Sequence, residues 1–507
     1  MASSSPNRKA FDRRTAGVLM HITSLAGPHG NGDLGPEAHR FVEFLSAGGQ
    51  RWWQTLPVGP PETHGFSPYS AQSASAGSPW LVSLELLHRE GLLPSADPFP
   101  DSDTPITDLK AAAQRRDQAL RLAFKNFNER NREHADFANF CIRHRKWLDD
   151  WALFAALKKR FDDRPWLQWD QPLRLRDLAA IERAKSELSE EIDFHRFVQY
   201  QFERQWQALR EAAARKGVGL IGDVPIFVAA DSCDVWANPS LFRLKKSGEP
   251  RAVSGCPPDM FSSEGQFWRH PQYRWRMHRR TKFAWWVDRF VTELTRFDAL
   301  RIDHFLGFYR TWSIPANASS AREGRWTMTP GEALLDAIQK TTGPVPVIAE
   351  DLGVVTPGAA RLREQFKFPG MRVYQFGFDD PYHLPHRYVE RTVAYPGTHD
   401  NNTTRGWFES LEKHKKDRIT AYLGCEQKEV PHAMIRSLYT SVAHTVIVPI
   451  QDVLGLGGEA RMNVPGSPER NWRWRLTSGQ LNDSIARNLK ESMELYERLP
   501  DSVGTSP

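Results

Sequence analysis

Three acidic residues stand where apolar runs give way to polar ones: Asp303 in ALRIDHF, Glu350 in VPVIAED and Asp400 in AYPGTHD. Each alone has an ordinary explanation, because aspartate caps helices and glutamate decorates loops. If the three runs are neighbouring strands of one closed barrel, however, their C-terminal ends converge, and acids 47 and 50 residues apart in the chain meet in space. Paired carboxylates at the base of a groove do glycosidic chemistry: one attacks the anomeric carbon as an anion, and the other protonates the leaving oxygen. The environments of the two must push their pKa values apart. Arg301 lies two residues before Asp303 and so on the same strand face, where its guanidinium would hold Asp303 ionised. Glu350 follows VPVIA, and partial desolvation there would raise its pKa. A separation of about 5–5.5 Å between the two carboxyls would mean retention of configuration. His21, His304 and His399 also fall near strand ends and raise a metal-dependent alternative, but no H-x-H or H-E-x-x-H occurs. Imidazoles donating to sugar hydroxyls account for them equally well, and neither metal nor cofactor is expected.

The elements that must position these residues recur along the chain. Eight apolar runs end in turn residues: 17–24, 51–57, 217–228, 297–305, 345–353, 371–378, 392–400 and 444–453. Continuous apolar runs, rather than strict alternation, fit buried parallel strands. Amphipathic helical patterns at 37–49, 193–217 and 331–343 lie between them. The pattern predicts a (β/α)₈ TIM barrel with inserted, largely helical subdomains. About 160 residues separate the second and third runs; they hold a Pro- and Asp-rich link at 91–105 and then a charged, aromatic helical block. The expected organisation is a tail at 1–15, a catalytic barrel at 16–500 interrupted by a helical insertion at 91–192 and a loop-rich insertion at 229–285 over the site, and a second tail at 501–507. GLGGEA at 455–460 lacks the G-x-G-x-x-G spacing and reads as a turn.

Bulk properties exclude several classes. The chain has 507 residues, 40% of them hydrophobic, enough for one large barrel with insertions. No apolar stretch reaches the roughly 18 residues of a membrane span, and the polar, basic N-terminus lacks a secretory apolar region. Four dispersed cysteines, Cys141, Cys233, Cys256 and Cys425, give no disulfide or zinc pattern and suit a reducing, cytoplasmic setting. The net charge of +6 raises nucleic acid as a partner, with basic residues concentrated in RHPQYRWRMHRR (269–280). No nucleic-acid motif accompanies them, and a solvated face or groove rim is the reading adopted. Tryptophans in polar contexts, Trp236, Trp268, Trp312, Trp326 and Trp472, suit the apolar faces of sugar rings.

The runs TSL (23–25), GDLGPEAHRFVEFLSAGGQRWWQTLPVGP (32–60), SPY (67–69), GDVPIFVAADSCDVWANP (222–239), PPDMFSSEGQFW (257–268), LRIDHFLGF (300–308), IAEDLGV (348–354), FPGMRVYQF (368–376), GTHDN (397–401) and EARMNVPG (459–466) together resemble the amylomaltase family of the α-amylase clan. These are 4-α-glucanotransferases, also called disproportionating enzymes. The resemblance spans about Gly17 to Trp474 and is weakest in the helical insertion. It implies Asp303 as nucleophile, Glu350 as general acid/base and Asp400 as the third acid, gripping sugar hydroxyls. Arg301 and His399 would flank the −1 sugar, Tyr69 would lie under it, and Asp223, Gln266 and Trp268 would line the donor and acceptor sides. The sequence departs from the family pattern at Phe66, Arg269, His270, Leu306, Asn402 and Arg470, none of them a catalytic position. The expected function is transfer of α-1,4-glucan segments to the 4-OH of an acceptor through a covalent glycosyl-enzyme, with maltooligosaccharides and α-1,4-glucans as partners. The rivals are an α-glucan hydrolase with the same residues and a non-catalytic glucan-binding protein.

Overall fold

The computed structural model describes residues 10–62, 65–99, 103–130, 135–258, 264–353, 355–467 and 470–499. Eight parallel strands close a barrel: β1 (Thr15–Leu19), β2 (Trp52–Gln54), β3 (Gly219–Val224), β4 (Ala299–Ile302), β5 (Val347–Ala349), β6 (Gly370–Val373), β7 (Thr392–Tyr395) and β8 (Thr445–Pro449). They follow one another around the barrel in chain order, and β1 pairs with both β2 and β8, so that Gly17 faces Trp52 on one side and Ile447 on the other. A Cβ at Gly17 would lie 2.5 Å from the Trp52 Cβ, so only glycine fits that approach. Every residue of the eight strands is buried, which is why their sequences are apolar runs.

Each of the eight apolar runs overlaps one barrel strand, but the strands are shorter than the runs, and the first and sixth strands begin before them, at Thr15 and Gly370. The sixth run turns into a 3₁₀ segment at Tyr374–Phe378 and the eighth into a helical turn at Ile450–Val453. The seventh strand stops at Tyr395, and Pro396, with no N–H to continue the ladder, follows it. His399 and Asp400 therefore sit on a loop and not on β7.

Helix α1 (Pro36–Ala47) starts with proline at its first position, buries Ala38, Phe41, Val42 and Leu45, and stops at Gly48–Gly49, where Gly49 has φ 67°. The long connection from β2 to β3 carries α2 (Leu109–Glu129), α3 (Ala135–Arg160), α4 (Leu178–Glu187) and α5 (Ser189–Arg215). This block supports the loops of the site. Gln199 of α5 exchanges two 2.8 Å hydrogen bonds with the backbone of Gly77, and Gln205 accepts from Ser83 N at 2.7 Å. Lys158 of α3, buried, pairs with Asp231 at 2.8 Å and so anchors the loop after β3.

The segment 229–285, expected as loop-rich, supplies two strands of a four-stranded antiparallel sheet. Its order is Gln266–Pro271, Ala252–Cys256, Arg310–Pro315, Arg325–Met328, with the last two strands coming from the connection after β4. Residues 259–263 of the run 257–268 lie outside the described residues, as do 1–9 and 500–507 of the expected tails. Within the expected N-terminal tail, Thr15 already opens β1 and Phe11 is buried against Trp52, ring centroids 5.3 Å apart. Among the described residues no helix is long and apolar enough to cross a membrane.

One buried side chain binds several backbone carbonyls near the N-terminal ends of β1 and β8. Arg498, fully buried, donates to the carbonyls of Tyr439 (2.8 Å), Thr15 (3.1 Å), Ser441 (3.0 Å) and Ala443 (3.0 Å). It thereby ties the chain just past the last helix to the starts of β1 and β8. Charged donors to carbonyls contribute about 1.5–3 kcal/mol each, and carbonyls left buried without a donor cost more. Arg498→Met should lower unfolding free energy by about 3 kcal/mol or more, read as a shifted denaturant midpoint, while the still-folded fraction keeps its turnover rate. An unchanged midpoint would contradict this role.

Candidate active site

The acids gather at the C-terminal mouth of the barrel around Arg301 at the end of β4. Its guanidinium donates to both Asp223 oxygens (2.8 and 2.6 Å) and pairs with Asp303 Oδ1 at 3.0 Å. Asp223 comes from β3, one register step across the sheet, where Cα partnership sets it opposite Arg301. Tyr69 Oη donates to Asp223 Oδ2 at 2.7 Å. Burial pushes the Asp223 carboxyl up, against the pull of Arg301 and Tyr69, which favour its anion. Asp303 projects one residue past β4 and is 31% exposed, whereas Asp223 is wholly buried. Of the two carboxylates on Arg301, only Asp303 is open to a ligand.

The chain turns sharply after Asp303. His304 takes φ 51°, in the left-handed region that costs a non-glycine residue energy, and this aims its N–H at Glu350 Oε2, 2.6 Å away. Leu352 N donates to the other oxygen at 3.2 Å. Burial, with Asp303 adding to it and Arg301 opposing it, pushes Glu350 up to about 7. The adjacent Asp351 has a different task. It is buried, pairs with Arg363 at 2.9 Å and accepts from Met371 N at 2.8 Å, which fastens the loop to β6.

Asp400 stands on the third side. Asn463 Nδ2 donates to its Oδ1 at 2.6 Å, Arg461 donates to its carbonyl at 2.8 Å, and His399 Nε2 lies 3.4 Å from Oδ1. The His399 ring stacks on Tyr69 with centroids 5.1 Å apart and planes 17° apart, and Trp472 leans on both, at 5.9 Å from Tyr69 and 6.0 Å from His399. Burial holds His399 below its usual pKa. His21, buried beside it and bonded to Thr55 Oγ1 at 3.2 Å, is held down to about 3 by burial and by His399. Both rings are therefore neutral near pH 7.

The fourth side comes from the small sheet. Trp268 Nε1 donates to Gln266 Oε1 at 3.0 Å, and the Trp268 ring meets His304 edge-on at 4.9 Å. His270 follows on the same strand. Burial holds it down to about 4, and the Asp303 carboxylate is near enough to oppose that shift. Arg269 points elsewhere: it is exposed, has φ 65°, and lies over Phe267 at 5.0 Å. The other departures are peripheral. Phe66 (φ 55°) packs on Trp80 at 5.4 Å, Leu306 sits in the 3₁₀ turn Phe305–Phe308, Asn402 Oδ1 accepts from Thr403 N at 2.9 Å, and Arg470 (φ 61°) precedes Asn471.

All nine site residues expected from the sequence thus join one chain of contacts: Gln266, Trp268, Glu350 and Asp303, linked through His304, on one side of Arg301, and Asp223, Tyr69, His399 and Asp400 on the other. Asn463 and Arg461 were not singled out for the site, and Trp472 only as one of several tryptophans suited to sugar faces. They come from the connection after β8, where only their spatial meeting with Asp400 and Tyr69 reveals them, although EARMNVPG already marked the stretch. Trp236, expected to present a face to sugar, is instead packed in the core at 1% exposure. Among the described residues no three His, Cys, Asp or Glu side chains converge as a metal ligand set, and His304 faces Trp268 rather than the other two histidines. The arrangement offers a half-exposed carboxylate oriented by a guanidinium, a second carboxyl whose pKa desolvation raises to about 7, a third carboxylate, and an aromatic floor.

Comparison with known proteins agrees with this chemistry. The family model described as 4-alpha-glucanotransferase matches residues 20–481. The chain is 46% identical to the 4-alpha-glucanotransferase of Thermus thermophilus, over 96% of this chain and 99% of that one. It is 42% identical to that of Synechocystis sp., with the same coverage. The solved amylomaltase of Streptococcus agalactiae in complex with acarbose superposes with a TM-score of 0.92 at 38% identity, covering 96% of this chain and all of that one. Fold, site and relatives agree: the chain belongs to the 4-alpha-glucanotransferase family.

Proposed function

We propose that the transfer proceeds by double displacement, with Asp303 as nucleophile and Glu350 as acid and then base. Asp303 attacks C1 of an α-1,4-linked glucose while protonated Glu350 gives its proton to the departing O4. The first chain leaves with a free 4-OH, and the remainder stays on Asp303 as an ester. Glu350, now a carboxylate, takes the proton from the 4-OH of an incoming glucan, whose oxygen displaces Asp303 and restores the α-linkage. Asp400 accepts hydrogen bonds from hydroxyls of the −1 glucose and favours its distorted ring. Tyr69 and His399 form the platform beneath that sugar, Arg301 and Asp223 hold Asp303 in line, and Gln266 and Trp268 line the outer groove. No metal or cofactor enters any step. The observation that carries this reading is the contrast between two half-buried carboxyls: Asp303 is paired with Arg301 at 3.0 Å, while Glu350 has no such guanidinium bonded to it among the described residues and is pushed up to about 7 by desolvation.

The substrates on this reading are maltooligosaccharides and α-1,4-glucans, the setting is cytoplasmic, and the barrel is one catalytic unit whose insertions at 91–192 and 229–285 shape the groove. Maltotriose as sole substrate tests it: glucose together with maltooligosaccharides longer than three units is the expected product set. Glucose and maltose alone would mean that water takes the glycosyl group and the enzyme is a hydrolase. No turnover would mean a binding protein.

Arg269 and His270 stand where a Gly-Asn pair is usual in the family, and His270 lies within electrostatic reach of Asp303. Both side chains are hydrogen-bond donors larger than the pair they replace. Arg269→Gly with His270→Asn should change the ranking of glucose, maltose and longer acceptors by several-fold, about what one hydrogen bond supplies. Formation of the glycosyl-enzyme should stay unchanged, and glycine accepts the φ of 65° without strain. An unchanged ranking at fixed donor concentration contradicts the assignment.

A further inference from the structure

Beyond the catalytic mouth, the strand that carries Gln266 and Trp268 runs on into Gln272, Tyr273 and Arg274, which form part of the wall of a separate cleft of about 920 Å³. Six arginines and two lysines line this cleft, and among the described residues no aspartate or glutamate does. Arg243, Lys246, Arg274 and Arg276 have no ion-pair partner among the described residues. Deeper in, Arg174 Nε and Arg176 Nη1 are buried without a hydrogen-bond acceptor. The other end of Arg176 is fixed, paired with Asp150 at 2.6 Å and set over the Trp236 ring at 4.2 Å. The backbone holds the cations together: Arg243 N bonds to Gln272 O (2.8 Å), Arg251 N to Arg243 O (2.7 Å) and Arg274 N to Leu241 O (2.7 Å). Arg274 and Arg276 of the basic run 269–280 are thereby accounted for as part of a wall of this cleft.

Two of the eight cations are paired, Arg176 with Asp150 and Lys245 with Glu249 at 3.0 Å; gathering the others without ion-pair partners among the described residues costs free energy, and a neutral glucan would not repay it. Planar guanidinium forks match tetrahedral oxyanions with paired donors. Several cations around one cleft suit an anion with more than one charged group. We propose that this cleft binds a small ligand carrying two or more adjacent phosphate groups, of the class of nucleoside diphosphates or inorganic pyrophosphate. The half-buried Trp275, which also lines the cleft, offers a flat ring body a face to stack on.

Calorimetric titration of the whole enzyme with ADP and, separately, with inorganic pyrophosphate at moderate salt tests this. Saturable binding of either supports the site; tighter ADP places the nucleoside on the aromatic wall, and equal affinities place recognition on the diphosphate alone. Arg243→Gln with Arg274→Gln should weaken binding by about 100-fold, two charged hydrogen bonds' worth. The exposed pair Lys246→Gln with Arg276→Gln should weaken it in the same direction, and maltotriose disproportionation at wild-type rate certifies the fold of both variants. No binding at about 1 mM ligand, binding unmoved by both double variants, or tighter binding of a single-stranded oligonucleotide than of ADP would each overturn the proposal.

Discussion

Asp303→Asn should leave a folded protein that still binds maltooligosaccharides and transfers none. The amide keeps the shape of the side chain and can still accept from Arg301 through its oxygen, so the network of Arg301, Asp223 and Tyr69 stays largely in place. What is lost is the anion that attacks C1. Removing a covalent nucleophile costs about 10⁴-fold or more in kcat, and no neighbouring acid can replace it. Asp223 is wholly buried under Tyr69 and Arg301, and Asp400 lies on the other side of the mouth, held by Asn463. Transfer within tenfold of the wild-type rate would remove Asp303 from the mechanism.

The second large effect belongs to Glu350 and depends on both leaving group and pH. Glu350→Gln should reduce kcat/KM for maltotriose by about 10²–10⁴-fold, the range that a positioned general acid supplies. With an α-glycosyl fluoride donor the loss in glycosyl-enzyme formation should be far smaller, because fluoride departs with little protonation. The same residue sets the pH profile. The free enzyme must carry the proton to donate it, and burial pushes Glu350 up to about 7. The wild-type kcat/KM for maltotriose should therefore be full below that value and fall as pH rises through it. The alkaline fall should be absent from glycosyl fluoride consumption and from the Glu350→Gln variant. An equal loss with both donors, or the same alkaline limb in the variant, would contradict the assignment.

The barrel was legible because each strand is buried on both faces and so leaves an unbroken apolar run. The ends of the strands were not, because the apolar character continues into site loops that are buried for other reasons. His399 and Asp400 read as the end of a strand, yet Pro396 ends β7 earlier and a loop carries them. The catalytic acids were legible from type and placement: Arg301 and Asp303 share a strand face, and Glu350 follows an apolar run. Their partners were less so. Asn463 and Trp472 belong to an irregular connection with no periodicity, and they join the site only through contacts with Asp400 and Tyr69. The four-stranded sheet escaped for a related reason. Gln266–Pro271 and Arg325–Met328 are its partly exposed edges, and its strands come from both sides of β4, so no single stretch shows the pattern. The indoles show how little residue type decides alone: Trp236 reads like Trp268 in its polar surroundings, but it is buried in the core beneath Arg176.

The central claim, a glycosyl group carried on Asp303, is tested most directly by mass spectrometry of the Glu350→Gln enzyme mixed with an α-maltosyl fluoride. The fluoride loads the nucleophile without help from the missing acid, and the missing base leaves the ester slow to accept an incoming glucan. The predicted result is an intact protein heavier by one maltosyl group, with the adduct mapped by proteolysis to the peptide containing Asp303 and absent when Asp303→Asn is added. An adduct on any other residue, or steady consumption of the fluoride with no covalent species at any time, would contradict the account.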